Sequence, residues 1–359
     1  MRHALWIFVS ALAATGLAER PTASTVDPAR RFLTAAFALT ASDIAQLERG
    51  QIVTRTLAVK NGREVATLGV VRVRTTPEHY VEQLRDIAAF KRTDDVLQIG
   101  TFGSPARDGD VDALTIEDAD LKRLRDCRVG ECDIRLSAAA IERVRRDIDW
   151  RAADAPASAS RLLRQILVSY VTDYQQRGGA AAVEYAGTSV RLNVGLEFVS
   201  LVEADTSTWA YVPRLRRHLL EYPADAHDAS SDFVYWSKER VHGRPVISLT
   251  HVAIVRGDGS SPVDYAIGSK QIYAMHYFDA SLGVTLLVRD TSTPSPFTYV
   301  VYLNRSRIDL FDGLFGGMAR RIVAGRARAL VGEQLARLQR DFAASVSSRS
   351  AGIRESATH

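Results

Sequence analysis

The chain has 359 residues, of which 46% are hydrophobic, 25% charged and 8% aromatic, fractions of a folded soluble protein that exclude a disordered, collagen-like or mini-protein chain. Its 46 basic and 42 acidic residues leave a formal charge of +4, and with no block of like charge that margin gives no argument for a nucleic-acid partner. Two cysteines rule out a disulfide framework but allow one staple.

Residues 1–18 begin Met1-Arg2-His3, continue through an apolar run from Ala4 to Ala14 and leave through Thr15-Gly16-Leu17-Ala18. A short basic start, a short apolar core and small residues at the exit read as a secretory signal peptide cleaved after Ala18. The run falls short of the roughly 20 residues that a membrane-spanning helix needs, although an uncleaved signal anchor is the alternative. This reading places the mature chain, soluble, in the periplasm or outside the cell. Residues 19–31 are polar with two prolines and are expected to form a linker.

A helical pattern follows over 32–48, carried by Phe32, Leu33, Phe37, Ile44 and Leu47. Two alternating runs, 51–60 and 63–74, flank Asn61-Gly62, a strong hairpin signal because both turn residues tolerate positive φ. Thr76-Pro77-Glu78 opens a helix expected to reach Arg92, with Val81, Leu84, Ile87 and Phe90 on one face. Residues 96–102 read as a strand.

Residues 108–160 have a different character and are expected to be a helical insertion, with helices over 118–126 and 137–150 and a connector over 152–158. Within it, Cys127 and Cys132 bracket a four-residue loop with a central glycine. In an oxidising compartment they are expected to close a small disulfide, with two reduced thiols as the alternative. Asp108, Asp110 and Asp112 start like a calcium loop, but Ala113 and Ala119 stand where glycine and a bidentate glutamate are required.

Helices are then expected over 160–176, ended by Gly178-Gly179, over 192–202 and over 211–220. The rhythm switches to period two for strands over 232–240, 245–256, 269–278, 283–289 and 299–304. A long helix over 313–346 closes the domain, expected to span 32–346, and a disordered tail is expected over 347–359. Hydrolase elbows, zinc-protease helices, phosphate-binding loops and dinucleotide fingerprints are absent from the sequence, so no metal and no cofactor is expected.

Hairpin, helix, strand, helices, strand meander and terminal helix, in that order, resemble the helix-grip fold of the START and polyketide-cyclase-like superfamily. The resemblance rests on Gly69-Val70-Val71-Arg72-Val73 followed by Thr76-Pro77-Glu78, on Tyr235-Trp236-Ser237-Lys238-Glu239, on Ser269-Lys270-Gln271-Ile272-Tyr273 and on the helix from Gly313. It covers residues 45–107 and 185–343, and these are architectural rather than catalytic signatures. The fold it implies is α+β, a curved antiparallel sheet wrapped on a long C-terminal helix. The function it implies is a groove between sheet and helix that holds a hydrophobic, lipid-like molecule; some members of the superfamily are enzymes and many only bind.

The leading reading is therefore an exported carrier or sensor of a hydrophobic small molecule. Trp236, His251, Tyr273 and Tyr277 from the strands are expected to line the groove with Met318, Ile322 and Gly325 from the helix. Strand alternation leaves open which sheet face lines it. Gly325 and Gly332, seven residues apart, suggest close approach to the helix, either by a ligand or by the sheet itself. The second reading is an enzyme on the same scaffold, with His251, His276 and Glu239 (and Asp279 beside them) doing acid–base work. The third is a structural envelope protein with a filled core. Arg320, Arg321, Arg326, Arg328, Arg337 and Arg340 would decorate the outer faces of the helix, where they could touch an anionic membrane surface transiently. Oligomeric state is left open.

Overall fold

The computed structural model describes residues 27–223, 231–309 and 316–356, with side chains over 27–223, 231–309 and 320–344. The expected signal peptide and the side chain of Met318 lie outside these residues.

Runs rich in Val, Leu, Ile, Thr and Tyr pair into one antiparallel sheet of eight strands. In chain order these are β1 (Val53–Thr56), β2 (Glu64–Val73), β3 (Val96–Thr101), β6 (Ser231–Val241), β7 (Arg244–Arg256), β8 (Tyr265–Ala274), β9 (Phe278–Asp290) and β10 (Phe297–Ile308). The spatial order is β1-β2-β10-β9-β8-β7-β6-β3. The meander β6 to β10 thus lies between the N-terminal hairpin and the edge strand β3. Two short strands, β4 (Glu184–Tyr185) and β5 (Leu192–Asn193), form a separate ribbon.

Helices cover both faces. On one lie α3 (Pro77–Arg85), α4 (Ile87–Phe90) and the long α11 (Gly316–Ser356). They bury Val71, Val73, Val252, Ile254, Ile267, Leu287 and Val300 of the sheet against Tyr80, Val81, Leu84, Ile87, Val331, Leu335 and Phe342. On the other face α1 (Pro28–Phe37), α2 (Ala41–Glu48), α8 (Val194–Glu203), α9 (Thr206–Trp209) and α10 (Pro213–Glu221) pack over the middle of the sheet and the hairpin. The insertion helices α5 (Asp118–Asp126) and α6 (Ala138–Asp147), with α7 (Ala155–Arg177), close the end of that face near β6 and β7. The architecture is α+β and helix-grip, with a second helical layer behind the sheet. Cys127 and Cys132 are joined by a disulfide, across a turn in which Arg128 and Glu131 form an antiparallel bridge.

Several boundaries differ from expectation, each for a local reason. α1 starts at Pro28, inside the expected linker, because Asp27 caps it by accepting from the Arg30 amide and proline suits the first turn. The helix from Thr76 breaks at Asp86, whose side chain caps α4 afresh. The Asn61-Gly62 link is not a two-residue turn: Asn61 Oδ1 accepts from the Arg63 amide at 2.9 Å, and the connection spans several residues between β1 and β2. α7 begins at Ala155, within the expected connector. β8 ends at Ala274 and β9 starts at Phe278, so His276 and Tyr277 sit in the link between them, Tyr277 at φ +66°. The α11 backbone stays helical to Ser356, through most of the expected tail.

Candidate ligand groove

Register fixes which residues share the α11 face of the sheet. Ser237 stands opposite Ser248, and Tyr235 opposite Thr250; Thr250 pairs with Gln271 and Val252 with Ser269. Ser269 pairs with Gly283, and Thr285, Gly283 and Ser281 pair with Tyr302, Asn304 and Ser306. This face is split in two. Its half beneath α3 and α11 is the apolar cluster of Val71, Ile254, Ile267, Leu287 and Val300. Its other half is a floor of hydroxyl and amide groups, and Ser248, Ser269, Gln271, Ser281, Thr285, Tyr302 and Asn304 are partly exposed there. β8 and β9 are central strands whose opposite face packs Ala266, Leu282, Val284 and Leu286 against α8 and α10. Exposure at mid-sheet is therefore that of an incompletely covered face and not of a sheet edge.

The floor is linked by hydrogen bonds that leave groups to spare. Ser281 Oγ and Ser306 Oγ are 2.8 Å apart, and Ser306 donates to Asn304 Oδ1 at 3.0 Å. Ser237 and Ser248 hydroxyls lie 3.2 Å apart. At the rim Lys91 Nζ is 2.8 Å from Glu239 Oε1, and Ser237 donates to the same oxygen at 2.6 Å. Burial opposes ionisation of Glu239, but the Lys91 ammonium and these hydrogen bonds outweigh it and hold the carboxyl below its ordinary range. Glu239 is thus a carboxylate tied into an ion pair.

The helix contributes one side. Val323, Ala324 and Ala327 pack with Tyr277, Phe278, Val65 and Ile308 where α11 begins its run across the sheet. Arg337 donates to the carbonyls of Phe90 and Arg92, tying α11 to the end of α4, so it is not on the solvated face expected for it. Leu330, 48% exposed, lies seven residues before Arg337 and so on the same side of the helix.

The expected lining residues divide between the two faces. Tyr277 packs beside α11. Trp236 and Tyr273 instead belong to the core shared with the insertion and α7. For Trp236 the cause is simple alternation, and its Nε1 donates to the Asp110 carbonyl at 2.8 Å. For Tyr273 the cause is a bulge at Ile272: Leu249 pairs with Tyr273 while its neighbour Thr250 pairs with Gln271. The extra residue sends Tyr273 to the face opposite Gln271, two positions away. His251 also points to the far face, where Tyr174 Oη lies 2.9 Å from its Nδ1. Ile322 is 64% exposed. A Cβ at Gly325 would meet nothing within 4 Å, while one at Gly332 would be 3.7 Å from Thr54 of β1. Spacing of seven puts both glycines near one side of α11, which at Gly332 faces β1.

The residues of the acid–base reading are not brought together. Burial, opposed by the Asp232 carboxylate, pushes His251 down to about 3. His276 is in the link after β8, with Nε2 3.2 Å from Asp120 Oδ1. Glu239 is at the groove rim with Lys91, and Asp279 is salt-bridged to Arg63 and Arg135 at 2.8 Å each. Sequence reasoning missed the polar floor, although β9 and β10 carry its signal: Ser281, Gly283 and Thr285 alternate with Leu282, Val284 and Leu286, as Tyr302, Asn304 and Ser306 alternate with Val301, Leu303 and Arg305.

No helix among the described residues is long and apolar enough to cross a membrane. No known family model matches the chain, and no curated protein matches it. Among solved structures, a START superfamily protein from Mycobacterium smegmatis aligns over 41% of this chain and 88% of its own, at 11% identity and a TM-score of 0.22.

Proposed function

We propose that the protein is an exported binder of an amphipathic small molecule, held between α11 and the polar half of the sheet. The observation that carries this reading is the partly exposed floor of Ser248, Ser269, Gln271, Thr285 and Asn304 in the middle of a sheet otherwise closed on both sides. A purely greasy ligand would leave those hydroxyls and amides without partners, at about 1–3 kcal/mol for each group so stranded. A ligand with a hydroxyl, amide or carboxyl end satisfies them. Its apolar remainder rests on partly exposed Tyr302, Ile99 and Leu338, with Leu330 at the helix side. Ligand sites that combine apolar walls with a few placed polar groups are the common kind. Tyr277 closes the end beside Val323 and Ala327.

The test uses untagged protein recovered from its exported fraction, examined by native mass spectrometry and titrated with 1-anilinonaphthalene-8-sulfonate after delipidation. A co-purifying amphiphile, or saturable binding of the dye at one site, is expected. Thr285→Trp and Ser269→Trp should each weaken the dye at least tenfold at unchanged melting temperature. Clean apo protein that gives no saturable dye signal, or tryptophan variants that bind as the parent does, would remove the groove as the working part.

A further inference from the structure

A second polar cluster lies on the far face of the sheet, with the sheet itself between it and the groove. α10 presents His218, β6 presents Asp232 and β7 presents His251. Their meeting follows from the fold. Asp232 pairs with Ala253, two positions along β7 from His251, so the two side chains are diagonal neighbours on one face. α10 seats Leu215 and Leu219 against Gly268 of β8, where a Cβ would lie 2.8 Å from Leu219 Cδ1. That close seat lowers His218 onto the strands, its ring 5.7 Å from that of His251.

We infer that His218, Asp232 and His251 form a binding site for a divalent transition-metal ion of the zinc type. One candidate ligand atom from each residue lies within 4.8 Å of the others. His218 Nε2 and Asp232 Oδ2 are 3.5 Å apart, close to the roughly 3.3 Å edge of a tetrahedron built on bonds of 2.0–2.1 Å. The independent pointer is His251. It is fully buried, its Nδ1 is engaged by Tyr174, and among the described residues its Nε2 has no hydrogen-bond partner. A buried ring nitrogen left bare stands at a cost, which a metal ion would remove. A histidine whose other nitrogen is fixed by hydrogen bonding is the usual arrangement of a ligating imidazole.

The neighbours are compatible with a cation. The Tyr222 ring lies tilted beside that of His251, with 4.4 Å between centroids. Lys270, the strand neighbour of His251, directs its ammonium to the Leu219 carbonyl at 3.1 Å and over the Phe198 and Tyr174 rings. The Asp232 side chain retains 26% exposure, which gives an entry path. Two nitrogens and one carboxylate oxygen suit Zn²⁺ or Co²⁺ and not Mg²⁺ or Ca²⁺.

The experiment uses untagged full-length mature protein, stripped with chelator and titrated with ZnCl₂ by calorimetry and with CoCl₂ by visible absorption. One ion per chain is expected, with the intense d–d absorption of a low-coordinate cobalt site. Asp232→Asn should weaken Zn²⁺ at least tenfold, His251→Gln more, and His79→Gln, at a distant surface pair, not at all. Thermal unfolding checks each fold; Asp232→Asn, at a partly exposed side chain, decides the matter if His251→Gln does not fold. Failure of the parent to bind one equivalent, or equal affinity in the parent and Asp232→Asn, would overturn the site. Neither result bears on the groove, whose dye titration is read separately.

Discussion

Gly69 of β2 lies directly beneath Val331 of α11: a Cβ at Gly69 would stand 2.5 Å from Val331 Cγ1 and 2.6 Å from Leu335 Cδ1. The close approach between terminal helix and sheet is therefore made by a glycine of the sheet, while the helix glycines Gly325 and Gly332 look elsewhere. A side chain at 69 would lift the helix or force both apolar residues from their rotamers. Gly69→Ala should cost about 1–3 kcal/mol, read as a lower midpoint in urea. Val331→Ala in the same chain should recover part of that loss, because it vacates the space the new methyl needs. An additive double mutant would show that the two positions do not press on each other.

Trp236 is held by the insertion. Its ring lies so close to Gly100 that a Cβ there would be 2.7 Å from Cε2 and Cζ2, and its indole nitrogen donates to the Asp110 carbonyl. Trp236→Phe should therefore destabilise the fold by about 1–3 kcal/mol through the lost hydrogen bond and the smaller ring. Dye binding in the groove should stay within twofold of the parent, since the ring is on the other side of the sheet. A tenfold loss of dye affinity at intact stability would return Trp236 to the binding face.

How far the letters carried is clear from β8. The strand pattern, the long closing helix, the insertion and the Cys127–Cys132 staple were all legible, because each rests on local periodicity or spacing. Facing was legible only where a strand is regular. One extra residue at Ile272 reverses the side on which Tyr273 emerges, and a bulge leaves no mark in a run such as Gln271-Ile272-Tyr273-Ala274. The apolar and aromatic pattern of a strand runs on through His276 and Tyr277, although the backbone turns there between β8 and β9. The His218, Asp232 and His251 cluster was invisible for a different reason. Its members come from three elements with no motif spacing, and packing of α10 on the sheet alone brings them together. The reading of the groove as greasy came from the resemblance; the Ser, Thr, Asn and Gln floor came from register.

Asp120 gives the insertion a pH-dependent anchor. Its side chain is nearly buried, with Arg244 Nη2 at 2.7 Å and His276 Nε2 at 3.2 Å from the same carboxylate oxygen. Burial works against the ionised form, but the hydrogen bonds from His276 and Arg244 and their charges outweigh it, so the folded carboxyl sits below the ordinary value of 3.8. An acid with a depressed folded pKa adds stability that is complete above the unfolded value and fades as pH falls through the folded one. Asp120→Asn keeps the shape but loses the charge, leaving Arg244 without its carboxylate. It should cost about 1–3 kcal/mol at pH 6–7. The gap between parent and variant should narrow as the solution is acidified below about 4, where Asp120 takes up its proton. Chemical denaturation at matched ionic strength across that range measures the gap. A difference that does not shrink below about pH 4, or that is absent at pH 7, would show that Asp120 does not anchor the insertion through its charge.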